Sequence, residues 1–358
     1  MQEIRKKNVI VCGTTFGQYY LKAIKSKTDV FCLKGILASG SERSKKIAKE
    51  YDTTLYTSVN ELPEHIDFAC VVIRSDGCGG NGTKIAIELM NKGISVIAEQ
   101  PVHKSFLKDC YKAAVSNKVC YQTGNFYAYL PAVKCFLAAA KKINEHMEPI
   151  YIRASFSTQV SFPAMELLVE AAGVREKIKV EKISTDNHPF KILIGKLGNI
   201  PMVMEFQNEL CPSDPDAFMQ LLHEFTLFYP GGRLELSDTM GSVVYRPRIY
   251  VPKDKYNGNF SGMEQQTEVI LFQKESRTLI DEVDIEWTNA IAENLIHFSK
   301  RIEQLKEQKR QDNRGAKEIL WADKWEELHE IFGFSKLLNY SDFQYFSVED
   351  LKRALEEI

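Results

Sequence analysis

Between Asn8 and Thr123 short apolar runs alternate with amphipathic stretches, and this rhythm constrains the fold more than any other feature. Asn8–Cys12 (NVIVC), Phe31–Ala38 (FCLKGILA), Asp67–Ile73 (DFACVVI) and Ser95–Ala98 (SVIA) are nearly continuous apolar runs. Such runs are strands buried on both faces, which is how parallel sheets are built. Thr54–Tyr56 and Val119–Thr123 add two shorter strands. The stretches between them predict helices over Gln18–Lys25, Ser41–Tyr51, Gly82–Lys92 and Phe106–Asn117. Five or six parallel strands with helical crossovers make a doubly wound α/β sheet of the Rossmann, dinucleotide-binding type.

The pattern changes near residue 125, which divides the chain into an expected Rossmann domain over residues 1–125 and a second domain over residues 126–358. At 358 residues the chain is longer than one core holds comfortably, so two domains are expected. A helix is predicted over Pro131–His146. Strands follow at Tyr151–Ser157, Phe190–Ile194, Met202–Asn208, Glu224–Phe228, Arg233–Ser237 and Val243–Tyr250, with almost no helices between them. Turn residues at Gly198-Asn199, Pro230-Gly231-Gly232 and Met240-Gly241 separate several of these strands, as hairpins require. The second domain is therefore read as α+β with a mostly antiparallel open sheet. Helices at Asp284–Lys309, Ala316–Ile331 and Val348–Ile358 complete it, with the charged run Gln304–Arg314 as a solvated helix end or loop.

Lys plus Arg number 46 against 48 Asp plus Glu, so nothing electrostatic points to nucleic acid or an anionic membrane. The eight cysteines form no CxxC pair, and no metal-ligand spacing is present, so no metal site is expected. Met1–Asn8 is polar and carries no signal-peptide pattern, which gives the expectation of a cytoplasmic protein with reduced thiols.

Three stretches point to a cofactor. Strand one ends in Gly13-Thr14-Thr15-Phe16-Gly17, a glycine turn that sets backbone N–H groups and a helix N-terminus against a pyrophosphate. Its spacing is GxxxG rather than GxGxxG. After strand two, where an NAD site places an acid on the ribose 2′-hydroxyl, the chain reads Ser39-Gly40-Ser41-Glu42-Arg43-Ser44. Ser39, Ser41, Arg43 and Ser44 suit a 2′-phosphate, and Ser41 and Ser44 also suit a helix cap. The expected cofactor is thus NADPH. Arg74, Ser75, Gly80 and Gly82 follow strand four, where glycines allow close backbone approach to a ligand or simply make a loop.

Strand five ends in Glu99-Gln100-Pro101, which resembles the Gfo/Idh/MocA oxidoreductases, where the run is Glu-Lys-Pro. Glu99 and Gln100 are placed beside the cofactor on that likeness. Gln100 stands at the lysine position and cannot exchange a proton near neutral pH, which argues against sugar-dehydrogenase chemistry.

A wider set of stretches resembles the thiazolinyl imine reductases of siderophore biosynthesis. They are Cys12–Gly17 with Tyr20-Leu21, Leu37–Ser44, Val72–Ser75 with Gly79–Thr83, Glu99–His103, Phe126-Tyr127, Asn208–Leu210, Asp214–Asp216, Leu221–His223, Gly231–Leu234, Asp238–Gly241 and Arg246–Arg248. This resemblance implies NADPH-dependent reduction of a thiazoline C=N to a thiazolidine. The substrate would be an aryl-thiazoline tethered to a carrier domain of a nonribosomal peptide synthetase. It also implies a homodimer formed through the second-domain sheets. The imine nitrogen must receive a proton, and Tyr127, which matches a family tyrosine, is the favoured acid. An ordinary phenol, with a pKa near ~10, keeps its proton at neutral pH. In that family the position of Gln100 can hold a histidine. Its absence here leaves Tyr127, His103 or bound water as the proton source. His103 is equally suited to start a helix, and His188 and His223 are read as hydrogen-bonded core residues. Asp214–Asp216 either edge the substrate pocket or cap a helix over Ala217–His223, the cap being preferred. Two other readings stay open: a Gfo/Idh/MocA-type dehydrogenase acting on a sugar or small carbonyl compound, and a non-catalytic NADP(H)-sensing regulator.

Overall fold

The computed structural model describes residues 5–174, 178–184, 189–251, 264–275, 278–307, 313–339 and 346–356. The first apolar runs become β1 (Lys7–Cys12), β2 (Phe31–Leu37), β3 (Leu55–Tyr56), β4 (Phe68–Val71), β5 (Ser95–Ala98) and β6 (Tyr121–Thr123). They pair in parallel, in the order β3-β2-β1-β4-β5-β6. The order reverses beside β1, which is where a doubly wound sheet opens a crevice at its carboxyl edge. The crossovers are α1 (Gly17–Lys25), α2 (Glu42–Glu50), α3 (Gly82–Asn91) and α4 (Lys104–Ser116). Their amphipathic spacing explains the packing: α1 buries Gly17, Tyr20, Leu21 and Ile24 and leaves Lys22 and Lys25 outward.

The second half begins with α5 (Pro131–Asn144), whose Pro131 starts the helix where a missing N–H costs nothing. An eight-stranded sheet follows. Its strands are β7 (Tyr151–Ser157), β8 (Ile178–Ile183), β9 (Phe190–Leu197), β10 (Ile200–Gln207), β12 (His223–Tyr229), β13 (Gly232–Leu236), β14 (Val243–Pro247) and β15 (Val269–Phe272). Its order is β15-β14-β13-β12-β7-β10-β9-β8, with β7 and β10 parallel and every other pair antiparallel. All three expected turns join these strands. Alternate residues such as Ile152, Ala154 and Phe156 face inward, and α5 and α6 (Ser161–Ala172) cover that face. Tyr151, Ile192 and Ile194 stand on the other face and are exposed. β11 (Glu209–Leu210) pairs separately with β16 (Lys336–Leu337).

Several expectations need correction. α6 was not anticipated, because eleven of its twelve residues are buried and it has no polar face to give a helical period. β8 and β15 were not anticipated either. No helix forms over Ala217–His223. The backbone there is held by side chains instead, through Gln220 N–H to Gln207 Oε1 (2.8 Å), Leu221 O to Ser157 Oγ (2.5 Å) and Leu222 N–H to Asp238 Oδ2 (3.0 Å). The strand expected to reach Tyr250 stops at Pro247, opposite Gly232, where its partner β13 begins. The helix expected from Asp284 begins earlier and breaks in register. It comprises a single turn α7 (Leu279–Asp281), a π-helical turn over Glu282–Trp287, and α8 (Thr288–Lys306). α9 (Arg314–Phe332) and α10 (Val348–Glu356) fall where helices were expected. Residues 308–312 of the charged run, His188, and the last two residues expected in α10 lie outside the described residues.

The helices after residue 282 do not stay with the second sheet. α8 packs along α1, and α9 packs on both α4 and α6. Arg314 is the main polar tie. Its guanidinium binds Glu318 Oε1 (2.6 Å) and Glu166 Oε1 (3.3 Å) and lies over the Trp321 ring at 4.9 Å. Glu318, fully buried, also accepts the Tyr111 hydroxyl (2.8 Å) and the Thr123 N–H (2.9 Å) at the end of β6. Removing one partner of a buried ion cluster strands the others. Arg314→Met should therefore lower unfolding stability by about 3 kcal/mol, read by urea denaturation.

Candidate functional site

The turn after β1 is built for close approach. Gly13 has φ +94°, and a Cβ there would lie 2.4 Å from the Val72 carbonyl oxygen. α1 then starts at Phe16 with no side-chain cap and no acidic residue in its first turn. Its positive end is left to a ligand, the arrangement that binds phosphate. Thr14 is buried, Thr15 and Ser39 are exposed, and Phe16 is half-buried. Arg43 reaches back from α2 so that its Nη2 donates to Thr15 Oγ1 (2.9 Å). The guanidinium thus stands between the glycine turn and the end of β2. Ser41 is the N-cap of α2. Ser44 is fully buried with its hydroxyl on the Ser41 carbonyl (2.7 Å), so it serves the cap and does not face a ligand. These residues fit a nicotinamide dinucleotide.

The glycine-rich loop after β4 is absorbed by its own packing. Gly80 N–H bonds the Ser75 carbonyl (3.1 Å) and Gly82 N–H the Arg74 carbonyl (2.9 Å). Ser75 is buried and donates to the Pro101 carbonyl (2.9 Å), while the Arg74 side chain is exposed. The loop buttresses the crevice more than it reaches into it.

At the carboxyl ends of β5 and β6 the chain gathers its protonatable groups. Tyr20 donates to Glu99 Oε2 (2.7 Å), and the Gln100 N–H reaches Glu99 Oε1 (3.2 Å). Burial pushes the Glu99 carboxyl up to about 7. Gln100 Oε1 is buried and has no partner among the described residues, an acceptor left for a bound molecule. Tyr127 sits in the 3₁₀ turn Phe126–Tyr129, stacked on Phe126 (4.3 Å between centroids) and edge-on to His223 (5.3 Å). Burial raises its phenol well above the usual value, and the charges of Glu99 and then Asp216 raise it further. Trp287, from the π-helical turn, closes over the group, 5.1 Å from Phe126, 6.2 Å from Phe16 and 6.4 Å from Tyr127. Its Nε1 is buried without a partner among the described residues.

The histidines stand elsewhere in role. His103 is at the N-cap of α4 but its ring does not cap. Nδ1 meets Glu326 Oε1 (3.1 Å), the ring packs on Trp325 (5.0 Å), and the same Glu326 oxygen accepts the Lys104 N–H (2.6 Å). α9 thus supplies the cap and engages the imidazole. His223 is fully buried, with Nε2 donating to the Val160 carbonyl (2.9 Å) and Nδ1 accepting from Thr239 Oγ1 (2.8 Å). Burial lowers it to about 4, so it is neutral and acts as a wall for Tyr127. Among the described residues no group of three or more His, Cys, Asp or Glu side chains could hold a metal ion, and no helix is long and apolar enough to cross a membrane.

Sequence reasoning found Tyr127, Glu99 and Gln100 but missed Tyr20 and Trp287 as members of the same cluster. The buried stripe Gly17-Tyr20-Leu21-Ile24 was the signal for Tyr20. Trp287 had none, because its position depends on the π-helical register.

Residues 7–125 match the family described as Oxidoreductase family, NAD-binding Rossmann fold, of Gfo/Idh/MocA type. Residues 147–246 match the domain described as Thiazolinyl imine reductase Irp3-like, C-terminal. The N-terminal third of the chain is thus of the Gfo/Idh/MocA oxidoreductase family, and an Irp3-like domain follows it. No curated protein matches the chain in sequence. Among solved structures, this oxidoreductase is similar to the UDP-N-acetylglucosamine 3-dehydrogenase GnnA from Acidithiobacillus ferrooxidans, at 12% identity over 92% of this chain and 99% of that one, with TM-score 0.64. It is also similar to KijD10, a 3-ketoreductase from Actinomadura kijaniata in complex with NADP and TDP-benzene, at 9% identity over 94% and 100%, with TM-score 0.65. A third is GenD2 from gentamicin A biosynthesis in complex with NAD, at 12% identity over 93% and 95%, with TM-score 0.63. At such identities the likeness shows the common fold. The oxidoreductase has an NAD(P)-binding Rossmann unit, and its turn has no room for a side chain at Gly13. Gly13→Ala should abolish nicotinamide dinucleotide binding in calorimetric titration and lower stability by about 2 kcal/mol, since it combines strained φ with a backbone clash.

Proposed function

We propose that the oxidoreductase uses NADPH to reduce the C=N bond of a thiazoline to a thiazolidine on a carrier-tethered siderophore intermediate. The observation that carries this reading is the pairing of an Irp3-like second domain with a site where Gln100 replaces a lysine and Tyr127 is the protonated group. When bound, NADPH supplies a hydride to the imine carbon. Tyr127 gives its phenolic proton to the ring nitrogen. Phe126 and Trp287 flank the phenol with apolar surface and limit water at that point. Gln100 Oε1 accepts a hydrogen bond from a bound molecule and helps orient it.

At the other end of the crevice, Arg43 with Ser39 and Ser41 takes the 2′-phosphate. Its guanidinium is already placed beside Thr15, and no carboxylate occupies the position of Ser39. His103, held by Glu326 and Trp325, is kept as a candidate second donor behind Tyr127. The remaining members of the cofactor set are Gly13, Thr14, Phe16 and Gly17 in the turn, with Arg74 at the crevice edge. We place the domain division at 125/126 and assign the protein to the cytoplasm. We also propose a homodimer through the open face of the second sheet, where Tyr151, Ile192 and Ile194 are exposed.

Two measurements test the reading. Ser39→Asp combined with Arg43→Ala should weaken NADPH binding about tenfold or more while leaving NADH binding little changed, because a charge-assisted hydrogen bond is worth about 1.5–3 kcal/mol. Equal losses for the two nucleotides would reject the phosphate pocket. Tyr127→Phe should slow reduction of an aryl-thiazoline thioester about 10²-fold, with NADPH affinity retained. Unchanged turnover would move proton donation to His103 or water.

A further inference from the structure

A cavity of about 420 Å³ opens between the turn Met240–Ser242 that joins β13 to β14, Lys274 just after β15, and Leu279 and Glu282 of the helical segment that follows. Cavities of about 300–1,000 Å³ are the usual size for a small molecule or part of a larger one.

One side chain in its wall lacks a partner. Glu282, the first residue of the π-helical turn, is 5% exposed. Lys274 Nζ donates to its Oε1, while Oε2 is buried with no partner among the described residues. A buried carboxylate oxygen left without a donor is costly unless a bound molecule supplies one. Lys274 carries three N–H donors and gives one to Glu282, so it keeps donors for the same molecule. A donor and an acceptor side by side complement an amide, with its N–H on Glu282 Oε2 and its C=O on Lys274 Nζ. Met240 and Leu279 supply apolar wall, which suits methylene groups beside the amide.

Both walls run on to Tyr127. In the turn, Thr239 precedes Met240, and its hydroxyl donates to His223 Nδ1 (2.8 Å), whose ring lies 5.3 Å from that of Tyr127. Asp238 Oδ2 takes the Leu222 N–H (3.0 Å) just before His223, and its Oδ1 takes the Met240 N–H (3.2 Å). In the helical segment, Trp287 follows Glu282 by the i→i+5 step of a π-helix, and its ring lies 6.4 Å from Tyr127. The cavity is thus joined to the phenol along two separate elements.

We propose that this cavity binds the amide-bearing thioester arm of the carrier-tethered substrate, with Glu282 and Lys274 holding one amide of the arm. This rests on the imine reading above and adds a binding site to it. An arm held there directs the thiazoline at its end along the turn toward Tyr127.

The test uses full-length wild type, Glu282→Gln and Leu279→Trp. Leu279 is 68% exposed, so an indole at that position fills the cavity without disturbing the core. With no substrate present, saturation-transfer NMR should show wild-type contact to the methylenes beside the amides of pantetheine, and about tenfold less in each variant. In turnover, the pantetheine thioester of an aryl-thiazoline should have a KM about tenfold below that of the ethanethiol thioester, which has no amide. That ratio should fall toward one in both variants. A ratio near one in the wild type, or the wild-type ratio in Leu279→Trp, would overturn the proposal. Stronger transfer to N-acetylglycine methylamide or to glucose than to pantetheine would overturn it as well, assigning the cavity to a peptide or a sugar. If the wild type reduces neither thioester, the imine reading falls alone. The pantetheine signal and its loss in Leu279→Trp then decide the cavity, and failure of either overturns it.

Discussion

The site depends on β5 and β6 staying parallel and in register to their last residues. Ala98 stands opposite Thr123, and the Gly124 N–H closes on the Ala98 carbonyl. That one backbone bond decides that Glu99 and the segment leading to Tyr127 leave the sheet side by side. Because all six strands run the same way, the glycine turn after β1 and the end of β2 open at the same edge. A nucleotide laid across that edge spans from Arg43 to the Glu99–Tyr127 cluster without any strand changing direction.

Around this edge the C-terminal helices act as a shell. The Arg314 cluster reaches the end of β6 through Glu318 and Thr123 N–H, so α9 is tied to the strand that presents Tyr127. The π-helical turn does the same on the other side. Lys22 of α1 pairs with Asp284 (2.6 Å), and three residues later Trp287 lies over the aromatic group. One extra residue in that turn sets the register in which Trp287 faces Phe16 rather than solvent. The aromatic wall is thus a tertiary product, assembled from α1, the 3₁₀ turn and the π-helical turn together.

This explains what the sequence made legible. Parallel strands buried on both faces are continuous apolar runs, so β1, β2, β4 and β5 were read to within a few residues. The hairpins of the second sheet were equally plain, because Gly198-Asn199 and Pro230-Gly231-Gly232 carry their turn chemistry locally. α6 was hidden because its sequence is apolar all round, although Pro163 in its first turn and Gly173 after its last residue, at φ +70°, were readable boundary signals. Ala217–His223 looked like a capped helix because Asp214-Pro215-Asp216 is a good start signal. Gln207, Ser157 and Asp238, all distant in sequence, take the backbone groups a helix would have used. Ser44 illustrates the same limit at the site: a serine that suits a phosphate and one that suits a cap look alike until burial separates them.

Gln100, whose side chain exchanges no proton near neutral pH, leaves proton transfer at this edge to its neighbours. Oxidising an alcohol needs a group that has lost its proton and can take one, and a nearby cation makes such a group available at neutral pH. Here burial raises Tyr20 and Tyr127, and their acidic neighbours raise them further, while burial brings Glu99 to about 7. Tyr20, Glu99 and Tyr127 are all biased toward holding a proton. Such a site is poor at abstracting a proton from a sugar hydroxyl near neutral pH, and its phenols stay protonated there. A proton donor at this edge therefore starts from the protonated state that its surroundings impose.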